Sequence, residues 1–237
     1  MKIKLVLCNL IICFFLFNCN ENVDRLITFD ENFEYSLEEF SDIAILRYDI
    51  PGWNNLTLKE QKLVYYLTQA GLSGRDIMWD QNYRHNLEIR TALQNVYFNY
   101  TGDKKSKNWM SFEIYLKRLW FSNGIHHHYS NDKIKPEFDL DYLTQILSST
   151  NTTISNDALD VIFNDLDSKK VNIAKGIDNV LLSAVNFYGP NVTSQDVYDF
   201  YSKVKSPDPL KPLSHGLNSR LVKENGVILE QVYKSGG

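Results

Sequence analysis

Three consecutive histidines, His126, His127 and His128, are the side chains in this sequence best suited to chemistry. In an extended segment His126 and His128 would point to one side, and neutral imidazoles ligate zinc, nickel or copper well. A structural zinc normally takes four ligands, and no acid lies at a suitable spacing from the run, so two imidazoles are too few for a tight site. The run is therefore expected to form a hydrogen-bonded loop packed on Trp120, Phe121 and Tyr129. The alternative is a loop, His126 to Tyr129, that lines a cleft or faces another domain, because loops often carry function. Asp76 and Asp80, four residues apart, would share one helical face and could act as paired acids. Arg75 beside them points instead to a salt-bridge network, and Trp79 reads as core rather than as a platform for substrate. His85-Asn-Leu-Glu88 lacks the second His on the same face that a zincin site needs. The sequence contains no Ser-His-Asp signature, phosphate loop or internal repeat. Sequons occur at Asn55, Asn99, Asn151 and Asn191.

The positioning elements begin after a leader. Lys2 and Lys4 precede an apolar run from Leu5 to Phe17, the pattern of a secretory signal and too short for a transmembrane helix. Leu16-Phe17-Asn18-Cys19 reads as a loose lipobox, with residues 1–18 removed and Cys19 lipidated. The expected location is the bacterial cell envelope, with a lipid anchor in the membrane and the chain on the periplasmic or surface face. All three cysteines, Cys8, Cys13 and Cys19, fall in this leader, which leaves no disulfide framework, Cys-rich zinc site or redox pair. The formal charge of −4 comes from interspersed acids and bases, whereas nucleic-acid binding needs a basic stripe. A hydrophobic content of 43% with 13% aromatics implies a folded chain.

Residues 19–32 read as a polar tether, 33–136 as a helical subdomain, 137–206 as a second helical subdomain and 207–237 as an incomplete hairpin segment. Leu37, Phe40, Ile43 and Leu46 recur at helical spacing, ended by Pro51-Gly52. Thr57-Leu-Lys-Glu60 is a capping box, and the helix it opens should bury Leu63, Leu67 and Ala70. One helical run is predicted from Arg75 to about Tyr100, carrying Ile77, Leu87, Ala92, Leu93 and Val96. Another carries Trp109, Phe112, Leu116 and Leu119 and stops at Gly124. Shorter helices are predicted at about Asp139 to Ser149, Asn156 to Leu166 and Thr193 to Val204, each opening on a capping-competent residue. Pro207, Pro209 and Pro212 then break the chain. Leu217 to Lys223 and Val227 to Tyr233 flank Asn225-Gly226, a strong hairpin signal. Two strands alone are marginal in water, so this hairpin should need partner strands from outside the chain.

With its flanks the histidine run reads Tyr115-Leu-Lys-Arg-Leu-Trp-Phe-Ser-Asn-Gly-Ile-His-His-His-Tyr-Ser-Asn-Asp-Lys133. This stretch resembles the bacterial branch of the dipeptidyl peptidase III family of zinc peptidases. So do Leu46-Arg-Tyr-Asp-Ile-Pro-Gly52, Gly74-Arg-Asp-Ile-Met-Trp-Asp-Gln-Asn-Tyr83 and Leu182-Ser-Ala-Val-Asn-Phe-Tyr-Gly-Pro190, in the family's order. The resemblance implies zinc-dependent release of dipeptides from the amino end of oligopeptides, with the substrate in a cleft between two lobes. It implies that zinc sits on a His-Glu-x-Leu-Gly-His motif and a later Glu-Glu-x-x-Ala-x-Asp-like motif. Neither occurs in these residues, so the chain is expected to be the amino-terminal portion of such an enzyme, with no catalytic residue and no zinc of its own. The expected fold is mainly α, with a C-terminal β-hairpin that would join a β-rich core in the parent (α+β). A non-catalytic envelope lipoprotein that binds peptides or a partner protein is the alternative. A lipoprotein capturing metal on the histidine run is a third reading.

Overall fold

A computed structural model describes residues 31–204, 210 and 219–232. The leader with Cys19, most of the tether and the prolines at 207, 209 and 212 lie outside the described residues. The chain is mainly helical, with one hairpin before the helices and one after them. It divides into two compact units, Met1–Gln69 and Ala70–Gly237.

The first unit holds strands β1 (Ser36–Phe40) and β2 (Ile43–Leu46), an antiparallel pair in which Phe40 faces Ile43 and Ser36 faces Leu46. This hairpin replaces the helix expected over Leu37 to Leu46. Ser41 adopts a left-handed φ of 53°, which turns the chain sharply between two residues that helical spacing would have placed on one face. The β-branched Ile43 and Ile45 then favour the extended partner. A 3-10 turn follows at Trp53–Asn55, and helix α1 (Leu58–Ser73) crosses the unit boundary. Its capping box is formed as expected: the Thr57 amide donates to Glu60 Oε2 at 2.7 Å and the Glu60 amide to Thr57 Oγ1 at 3.4 Å. The expected buried stripe is not, since no residue of α1 is buried and Leu63 and Leu67 are 59% and 63% exposed. Apolar spacing sets which residues share a face, but it does not supply an element to cover that face.

In the second unit the long run predicted from Arg75 is two helices, α2 (Arg75–Asn82) and α3 (Asn86–Asn99). The break falls where Tyr83 becomes extended and sends its ring into the core. Ile77, expected inside, is exposed. Helix α3 is central and packs against α2, α4 (Lys107–Ser122), α5 (Leu140–Ser149) and α6 (Asn156–Phe163). Ile89, Leu93 and Val96 are fully buried on it, and the small Ala92 leaves room on the same face. Helix α4 contributes Trp109, Phe112, Leu116 and Leu119, with Tyr100 stacked on Trp109 at 4.5 Å. Phe138, just before α5, is a hub whose ring meets Phe112, Tyr115, Tyr142 and Phe163. Each fully buried side chain of this size stabilises by roughly 1.5–3 kcal/mol. Residues from Trp79 to Ala184 share this one core.

The helix starts follow their caps. Ser106, Asp139 and Ser155 accept from the amides of Trp109, Tyr142 and Ala158, and Thr193 with Asp196 forms a full capping box on α7 (Ser194–Tyr201). Strands β3 (Ser219–Glu224) and β4 (Val227–Val232) pair antiparallel around Asn225 and Gly226. Both turn residues have positive φ, 50° and 79°, the requirement of a tight hairpin turn whose twist matches the strands. Among the described residues no third strand joins this sheet, although a short segment touches its edge. The Gly189 amide donates to the Leu221 carbonyl at 2.7 Å and the Leu221 amide to that of Phe187 at 2.9 Å, making a parallel bridge on the free edge of β3.

Leu93→Ala should lower stability by about 3 kcal/mol through the cavity it leaves. Leu63→Ala should stay within about 0.5 kcal/mol of the parent, as surface changes do. Urea unfolding followed by circular dichroism measures both.

Candidate functional site

The histidine run sits in a loop that the end of α4 delivers. Asn123, left-handed at φ 52°, caps the helix, and Gly124 follows with φ 147°. A Cβ on Gly124 would lie 2.2 Å from Asn86 Nδ2, so the backbone approaches that amide as only glycine permits. Asn86 is fully buried. Its Nδ2 donates to the Trp79 carbonyl at 3.0 Å, and its Oδ1 accepts from the Ile125 amide at 3.1 Å. Asn82 Nδ2 donates to the Asn123 carbonyl at 2.9 Å. The loop then doubles back: His126 bridges Lys133, and the Ile134 amide donates to the Ile125 carbonyl at 2.8 Å.

The three imidazoles have different surroundings. His126 is 2% exposed, its ring edge-on to Tyr83 at 5.3 Å, with Nε2 2.7 Å from the Asp167 carbonyl oxygen. Burial, helped by Lys133 and Lys170, outweighs that hydrogen bond and pushes its pKa down to about 4. The ring is therefore neutral, with its proton on Nε2, where it donates to the carbonyl. Nδ1 is buried without a hydrogen-bond partner among the described residues. His127 Nδ1 accepts from the amides of Tyr129 and Ser130, each at 3.2 Å. The His128 ring meets Phe121 at 4.8 Å and Tyr129 at 4.4 Å, and Tyr129 is 83% exposed. The packing on Phe121 and Tyr129 is as expected, whereas Trp120 turns to Tyr97.

His126 Nε2 thus faces a carbonyl and His127 Nδ1 accepts two amides, and no group of three or more His, Cys, Asp or Glu among the described residues is placed to hold a metal.

Asp76 forms a salt bridge, in keeping with the network expected of it, but with a different partner. Asp76 pairs with Arg90 of the next helix, Oδ1 to Nη1 at 2.8 Å, rather than with Arg75. Asp80 accepts from Asn186 Nδ2 at 3.4 Å. Trp79 is core, as its neighbours suggested.

Beneath the loop lies a polar cluster that sequence reasoning missed. Asp167 Oδ2 accepts from the Tyr83 hydroxyl at 2.7 Å and pairs with Arg84 Nη2 at 2.9 Å. Burial, then the Asp167 carboxylate, raises the Tyr83 hydroxyl far above its ordinary range. Lys133 Nζ donates to the carbonyls of Val161 and Leu166 and to Asn164 Oδ1, placing a cation at the C-terminal end of α6, where the helix dipole favours it. One sequence signal pointed here: Asn86 is a polar residue in register with Ile89 and Leu93 on the buried face of α3.

His126 gives a pH dependence with a definite sign. An unfolded histidine titrates near 6.5 and this one near 4. Its contribution is complete above about pH 6.5 and is lost as pH falls towards about 4, by about 3 kcal/mol in all. His126→Gln, which keeps a donor for the Asp167 carbonyl, should flatten that part of the stability profile measured by urea unfolding between pH 7.5 and 4.

Compared with known proteins, the sequence matches no family model and no curated protein, so the reading of its function rests on this geometry and on the resembling blocks.

Proposed function

We propose that the chain forms the helical portion of a dipeptidyl peptidase III-like zinc exopeptidase, which releases dipeptides from the amino end of oligopeptides, and that it is inactive by itself. The observation carrying this reading is the union of three resembling blocks in one hydrogen-bonded body. Block 74–83 meets block 115–133 through Asn82 and Asn123, and it meets block 182–190 where the Asn186 amide donates to the Gln81 carbonyl at 2.8 Å. Segments far apart in sequence that resemble one family and also pack together are what a shared scaffold requires. In this reading zinc is held by residues these 237 do not include, and the surface formed by His127, His128 and Tyr129 is a wall of the peptide cleft. A lipid on Cys19 would hold the enzyme at the envelope membrane.

A second reading is favoured by α1, whose Leu58, Leu63, Tyr66 and Leu67 are exposed. An apolar helix surface of this kind suits contact with another protein, as expected of a non-catalytic lipoprotein.

Reading the coding DNA beyond the Gly237 codon separates the two. A continuous frame with His-Glu-x-Leu-Gly-His supports the peptidase, and closed frames without it favour the binding lipoprotein. The purified 237-residue chain should release no arylamine from dipeptidyl-arylamides with or without added zinc. Zinc-dependent turnover would refute the assignment of the metal to other residues.

A further inference from the structure

Residues 164–193 join α6 to α7 without a helix or strand of their own. A connection of that length is uncommon in a compact body. Its middle is an Ω-shaped loop whose ends are tied together. The Asn172 amide donates to Ser183 Oγ at 2.8 Å, and the amides of Ala184 and Val185 donate to the carbonyls of Lys169 and Lys170, each at 3.0 Å. Both sides are pinned again nearer the tip. The Ala174 amide donates to Asn172 Oδ1 at 3.1 Å, while Asp178 Oδ1 accepts from the amides of Val180 and Leu181 at 3.0 and 2.9 Å and from the Ser194 hydroxyl at 2.7 Å. Between these pins the amides of Lys175, Gly176 and Ile177 have no hydrogen-bond partner among the described residues. Lys175 and Gly176 are exposed, and Ile173 beside them is 84% exposed. Gly176 has a left-handed φ of 80°, with nothing within 4 Å of where a Cβ would lie.

Basic residues in other connections of the second unit are held. Lys104 lies 5.0 Å over the Trp109 ring and donates to the Tyr97 carbonyl at 3.4 Å, and the Lys105 amide donates to Asp103 Oδ1 at 2.8 Å. Lys135 pairs with Asp165 at 2.7 Å and precedes Pro136, and Lys169 pairs with Asp132. We propose that the Lys175–Gly176 bond is a processing site for an endopeptidase that cleaves after a basic residue. Such an enzyme takes its substrate as an opened segment, so a cut is fastest where local opening breaks the fewest contacts. Exposed loop tips with small residues meet that condition, and Lys175 stands between Ala174 and Gly176. Water adds across the amide: its hydroxyl goes to the Lys175 carbonyl carbon and its proton to the Gly176 nitrogen, leaving a new carboxyl and a new amine. Helices α2 to α6 lie before the cut, and α7 with the β3–β4 hairpin lies after it, so no helix is broken. The inference does not depend on the peptidase reading, since it uses none of the resembling blocks' expected roles.

The test is limited proteolysis of the folded full chain by trypsin at neutral pH, read by intact-mass spectrometry and circular dichroism. Within residues 75–200 the first cut should follow Lys175, at least about tenfold faster than cuts after Lys104 or Lys105, with the helical signal unchanged. Subtilisin, which needs no basic residue, should make its first cut within 75–200 between Ile173 and Ile177. Lys175→Gln should abolish the tryptic cut there and leave the subtilisin cut in place, which separates the openness of the loop from the identity of the side chain. A first tryptic cut after another residue of 75–200, a cut after Lys175 only in urea that unfolds the helices, or a first subtilisin cut in another segment of 75–200 would overturn the proposal.

Discussion

The buried carboxamide of Asn86 is the contact on which the arrangement of the second unit depends. It joins the end of α2 to the first turn of α3 through the Trp79 carbonyl, and joins both to the segment leaving α4 through the Ile125 amide. Inside a protein such a bond is strengthened by the low dielectric, and losing either partner leaves a buried group unmet. The contact exists because Gly124 has no side chain: any Cβ there would occupy the position of the amide nitrogen. Fully burying Ile125 against the helices then fixes where the chain goes next, and His126 is carried inside with it.

The polar cluster under that loop is a consequence of the same descent. A backbone turn at Asp167, with φ 50°, offers its carbonyl to His126 and its carboxylate to Tyr83 and Arg84. Buried polar groups are tolerated when paired, and here nearly every member has a partner. The cluster has the form of a positioning network. Its imidazole is neutral and its phenol firmly protonated across the physiological range, so neither group is poised to exchange protons near neutral pH.

What the sequence made legible follows from how local each signal is. The caps at Thr57, Asp139 and Thr193 and the turn at Asn225-Gly226 are set within four residues, and the structure places each where its chemistry requires, while the helix expected to open on Asn156 is capped one residue earlier by Ser155. The buried face of α3 was legible for the same reason, through Leu93 and Val96 at helical spacing. The segment from Leu37 to Leu46 was misread because a single left-handed Ser41 turns an apparent helical repeat into a hairpin. The stripe on α1 was misread because burial depends on a partner element, which spacing does not report. Asp167 and Lys133 were invisible in the candidate site because their roles come from contacts with residues tens of positions away, where no local pattern points.

The surface of the loop, from His127 to Tyr129, is therefore held by the helices of the second unit, and the central claim is that the Asn86 side chain locks the loop to them. Amide hydrogen exchange at Ile125 tests this most directly, because that N–H has a side-chain acceptor rather than a partner in a helix or strand. The account predicts protection close to that of the core amides of α3, such as Leu93, with exchange only through global unfolding. Exchange at Ile125 orders of magnitude faster than at Leu93 would contradict it, since the loop would then open while the helices stay folded.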